Sequence, residues 1–160
     1  MKTYQNIFVL LFAIVLLFNI YGCSNDSKRP ADLPVLYQCQ LTFTQEGKPL
    51  DGAEITLSPV EPSRWAIGGV TDKDGIVSIR TNGSYAGIPE GRYKILVAKT
   101  IVENKNYLSV VEPVFQQEKD TPLEIVISKG NNNKMFDVGK PVKIVTGQVK
   151  DEPLSEKRDE

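Results

Sequence analysis

Apolar and polar residues alternate along much of this chain with a period of two. Tyr37, Cys39, Leu41 and Phe43 fall on one side of an extended segment, with Gln38, Gln40, Thr42 and Thr44 on the other. This is how a half-buried strand reads. Ala53, Ile55 and Leu57 repeat the pattern against Glu54, Thr56 and Ser58, and Pro59 and Pro62 end that ladder. A third strand is predicted over residues 65–71, with a bulge at the Gly68–Gly69 pair. The turn "TDKDG" leads into a fourth over 76–81, and Tyr93, Ile95 and Val97 form the inward set of a fifth. Leu123, Ile125 and Ile127 mark a sixth, and "KMFDVG" adds a short last one. Residues 101–121 carry two short apolar patches and no readable period. No run shows a helical period. About seven short strands between turn signals predict an all-β fold, an antiparallel Greek-key β-sandwich.

The two ends follow other rules. Lys2 precedes an unbroken apolar run over residues 7–18, shorter than the roughly 20 residues a membrane span needs. That length suits the h-region of a secretory signal. The segment Ile20-Tyr21-Gly22-Cys23 resembles a bacterial lipobox. The resemblance implies cleavage after Gly22, so that residues 1–22 are a signal peptide, and a diacylglyceryl group on the Cys23 thiol. Several acyl chains on one residue hold stably where one alone is marginal. The expected partner is therefore the membrane, through a lipid anchor at Cys23. Ser24 after the cysteine implies sorting to the outer membrane. Residues 23–34 read as a tether, 35–138 as the sandwich, and 139–160 as a charged disordered tail.

Composition removes several classes of function. Without residues 1–22, which hold one base and no acid, 19 − 1 = 18 bases face 20 acids. Such a balance makes no case for nucleic acid. The chain has no histidine, so histidine-dependent triads and imidazole-based metal sites are excluded. Asp72 and Asp74 lack the further acids of a calcium loop and read as turn residues. No cofactor or metal is expected. The chain has two cysteines; with Cys23 lipidated, Cys39 has no partner and reads as a buried free thiol.

"GKPLDGAEITL", "GGVTDKDGIVSI" and "IPEGRYKILV", in that order, resemble the carboxypeptidase-regulatory-like, transthyretin-like β-sandwich domain over residues 35–138. Val77 departs from the aromatic residue usual at its position. In β-sandwiches of this kind a corner tyrosine, here Tyr93, buries its ring and sends its hydroxyl to a nearby backbone group. The resemblance implies a non-catalytic envelope lipoprotein, structural or binding a protein or glycan partner. The alternative is an accessory module for a separately encoded enzyme. A remote alternative is a hydrolase of the transthyretin-like class, whose histidines and C-terminal Tyr-Arg-Gly-Ser are absent here. Loops at the ends of such a sandwich are free to meet partners. In the loop over residues 59–67, Trp65 and its neighbour Arg64 are the candidate contacts, because an indole orders cheaply and presents a large flat surface.

Overall fold

The computed structural model describes residues 29–149. The expected signal segment, the expected anchor at Cys23 and residues 150–160 of the expected tail lie outside the described residues. The chain divides between Leu33 and Pro34, and the described residues of the unit that begins at Pro34 hold fifteen short strands and one 3-10 helix at Pro113–Phe115. Its strands are β1 (Leu36–Tyr37), β2 (Gln40–Gln45), β3 (Lys48–Pro49), β4 (Glu54–Pro59), β5 (Ile67–Val70), β6 (Ile76–Ser78), β7 (Arg80–Thr81), β8 (Tyr85–Ala86), β9 (Ile88–Pro89), β10 (Gly91–Ala98), β11 (Thr100–Glu103), β12 (Asn106–Ser109), β13 (Glu124–Ile127), β14 (Lys134–Asp137) and β15 (Ile144–Gln148).

The architecture is an all-β sandwich. One layer runs β13-β10-β4-β5-β7-β8; the other runs β14-β2-β3, with β6 also on β2. Alternation explains the core. Ile55 and Leu57 of β4, Ile95 and Val97 of β10, and Ile125 and Ile127 of β13 point inward from the first layer. Leu41 and Phe43 of β2, Val77 of β6 and Phe136 of β14 meet them from the second. Each such aliphatic side chain contributes about 1.5–3 kcal/mol on full burial. Phe43 and Phe136, abreast in neighbouring strands, stack with ring centroids 5.5 Å apart.

The structure departs from the sequence expectations at five places. The fourth predicted strand is two: β6 pairs with β2, and β7 pairs with β5 in the other layer. Ile79 lies at the crossing, where its N–H donates to the Cys39 carbonyl and its own carbonyl accepts from Gly87. Such splitting yields more and shorter strands than expected. Among the described residues every pairing is antiparallel except β14 on β2, which is parallel. The expected bulge at Gly68–Gly69 is instead a place of close approach. A Cβ on Gly68 would lie 2.3 Å from the Ile55 carbonyl oxygen, and one on Gly69 would lie 2.6 Å from a Val77 methyl. Residues 100–109, unreadable in sequence, form the β11–β12 hairpin, turned by Asn104 and Lys105 at φ 50° and 61°. Finally, the expected tail is ordered as far as Val149, because β15 pairs with β12 to make a three-stranded sheet.

The motif positions behave as local chemistry requires. Asp72 Oδ1 accepts the N–H groups of Asp74 and Ile76, closing the turn. Gly75 holds φ +73° there, where any Cβ would lie 2.3 Å from the Phe43 carbonyl oxygen. The Tyr93 ring is buried and its hydroxyl donates to the Pro89 carbonyl at 2.9 Å, as the corner geometry implies.

Candidate functional site

The loop between β4 and β5 begins where the sequence withdraws backbone donors. Pro59 and Pro62 have no N–H, and the Val60 N–H between them still donates to the Arg92 carbonyl at 2.9 Å before the chain leaves β10. Ser63 Oγ then accepts the Trp65 N–H at 3.2 Å. The exit of the loop is clamped from β7–β8: the Asn82 N–H donates to the Ala66 carbonyl at 2.7 Å, and Asn82 Oδ1 accepts the Ala66 N–H at 3.0 Å. Asn82 takes this position at φ 50°, a left-handed conformation that asparagine tolerates. Two bonds to one residue fix the chain directly after Trp65.

Trp65, the chain's single tryptophan, is half-buried and packs against the core. The Arg64 guanidinium carbon lies 4.5 Å from the ring centroid, a cation–π contact. The sequence-predicted pair is therefore brought together. The ring stands between two clefts, both lined by Trp65 and Pro59. One, of about 690 Å³, opens toward the loop end among Val60, Pro62, Arg92 and Val126. The other, of about 650 Å³, lies on the outward face of the first layer among Thr56, Gly68, Arg80 and Leu96.

Strand register builds that outward face. Leu96, Thr56, Gly68 and Arg80 sit abreast across β10, β4, β5 and β7. Gly68, which lies close against the Ile55 carbonyl, lines the cleft beside Thr56 with backbone alone. One row toward the loop, Lys94 lies opposite Ser58 on one side and Glu124 on the other. Its ammonium is 2.5 Å from Glu124 Oε1. The hydrogen bond from Lys94, reinforced by its charge, holds the Glu124 carboxyl below its ordinary range. The Arg80 guanidinium donates to the Gly83 and Ser84 carbonyls at 2.8 and 2.6 Å, which fixes its position at the cleft wall. Apart from Trp65, these residues carry no sequence signal of a site. Their neighbourhood is a product of register, which alternation alone does not set.

The groups best suited to chemistry are committed to structure. Burial pushes the Cys39 thiol up to about 11 and the Tyr93 phenol up to about 12. A thiol so shifted is a poor nucleophile at neutral pH. The Cys39 Sγ–H donates to the Asn132 carbonyl at 3.5 Å. Among the described residues no group of three or more His, Cys, Asp or Glu side chains could hold a metal ion. No helix among them is long and apolar enough to cross a membrane.

No protein-family model matches the chain, and no curated protein matches it. In the structural comparison it is similar to the major pilin subunit of Bacillus cereus, BcpA, with 22% sequence identity and a TM-score of 0.41. The alignment covers 68% of this chain and 30% of the pilin chain, so the chain spans under a third of that protein's length.

Proposed function

We propose that this chain is a lipoprotein of the cell envelope, held in the outer membrane by lipid at Cys23, whose carboxypeptidase-regulatory-like sandwich binds a partner and performs no catalysis. The observation that carries the binding half is the position of Trp65 between two clefts of about 690 and 650 Å³. A large aromatic surface beside concave, mainly preformed space is the usual basis of a binding site. The chain's lack of histidine, with its buried thiol and phenol both shifted away from reactivity, supports the non-catalytic half.

Co-purification from detergent-solubilised envelope tests this reading. The wild-type chain should retain a component that Trp65→Ala holds about tenfold less well, while the variant stays folded with a melting temperature lowered by the lost packing of the half-buried ring. Equal retention by both chains would remove Trp65 from the binding surface. A single enzyme as the retained component would favour an accessory module over a structural one. The anchor has its own test: labelled palmitate should enter the wild type and not Cys23→Ala.

A further inference from the structure

We infer that the surface around Trp65 takes a linear, uncharged polysaccharide lying along β4; this rests on the reading of that surface as the binding face. Shape comes first. The two clefts share Pro59 and Trp65 in their linings, so they adjoin at the indole. The underlying strand has six residues, which extend for about 20 Å. A small molecule fills one cleft. A chain of linked sugar rings fills both and passes Trp65 midway.

The position of the clefts argues against a peptide. An extended peptide gains affinity by adding its main chain to the open edge of a sheet. β4 has no open edge, because β10 and β5 flank it on both sides. Its outward face offers side chains only. Beside the charged residues at its ends, the surface here carries hydroxyls at Thr56 and Ser58 of β4 and apolar groups at the adjoining Leu96, Val60 and Trp65. Sugar rings match both, with hydroxyl rims for the first and C–H faces for the second. Charge narrows the class further. Glu54 and Arg80 line one cleft, and Glu61 and Glu90 with Arg92 line the other. Acid and base are interspersed at both ends, so a strongly charged polymer gains no field to follow.

The full-length lipoprotein, in a detergent without a sugar headgroup, provides the assay. Trp65 emission reads occupancy, since no other tryptophan contributes. The probes are cello-, malto-, xylo- and chito-hexaoses, their disaccharides, a galacturonate hexamer and a proline decapeptide. At least one neutral hexaose should shift the emission and bind about tenfold more tightly than its disaccharide, which reaches one cleft only. Thr56→Phe, which fills part of the cleft over β4, should weaken that hexaose about tenfold; Ser58→Phe replaces it if the first variant does not fold. A flat titration with all four neutral hexaoses overturns the polysaccharide. A response to the galacturonate or the proline peptide alone keeps the binding face and changes the ligand class. If no probe acts and Trp65→Ala also leaves envelope capture unchanged, the binding face itself falls.

Discussion

Cys39 and Tyr93 are ionisable groups placed where their charged forms are poorly hydrated, and the cost emerges at high pH. Both folded-state values are raised by burial, from 9.0 to about 11 and from 10.0 to about 12. A raised value means that the stabilisation is complete below the unfolded pKa and disappears as pH rises through the folded one. Chemical denaturation should therefore show a constant midpoint up to about pH 9 and a falling one toward pH 12. Tyr93→Phe should flatten part of that fall. It should also cost about 1–3 kcal/mol at neutral pH, because the Pro89 carbonyl loses its donor. Thiol reagents should modify Cys39 only after denaturation, and rapid labelling of the native protein would contradict its burial. Asp137 acts at the opposite end of the scale. Hydrogen bonds from the Thr44 hydroxyl and the Gly47 and Gly139 N–H groups hold its carboxyl below the ordinary range. Its contribution is present above the unfolded pKa and is lost as pH falls through the lowered value. Asp137→Asn should make the acid limb of the stability profile shallower.

Elements show what alternation reveals and what it leaves out. The inward sets of β2, β4, β10 and β13 are legible because one buried face imposes a period of two over several residues. The crossing at Ile79 is not legible: alternation runs on from Val77 to Ile79 while the hydrogen-bonding partners change layer. Parallel pairing of β14 on β2 is hidden for a similar reason, since a period carries no direction. β15 escapes notice because it has no buried face to mark, with Val145 61% exposed. Its bond to the fold is mostly backbone, including Val142 N–H to the Val110 carbonyl and Val149 N–H to the Lys105 carbonyl. Ending the chain after Val138 should accordingly lower stability by about 1–3 kcal/mol relative to a chain ending after Val149, as read by thermal melting. An equal melting temperature would make β15 dispensable. The Trp65 loop was legible from its prolines and its lone indole. Thr56 and Leu96 became site residues only once the register set them abreast.

At the scale of the whole molecule, Lys134 closes the side of the sandwich between β13 and β14. Its ammonium donates to the Glu124 carbonyl at 3.2 Å and lies 5.0 Å from the Phe136 ring centroid. A lysine on a sheet edge also discourages pairing with a foreign strand. The segment Ile76–Thr81 links the layers at another place, and more firmly, because the link is the chain itself. Separating the layers would break β6 from β2 or β7 from β5, together with the Ile79 bond to Cys39. The layers cannot part with both of these pairings whole, so opening either one costs backbone pairing at the crossing as well as the shared core. In native-state hydrogen exchange, amides of Leu41 and Val77 on one side and Ile67 and Thr81 on the other should therefore open together, with one shared free energy and one denaturant dependence. Two distinct exchange classes divided along the layers would mean that the crossing is a hinge. With a single class, loss of one layer carries the other with it, and the Trp65 face exists only when the entire domain does.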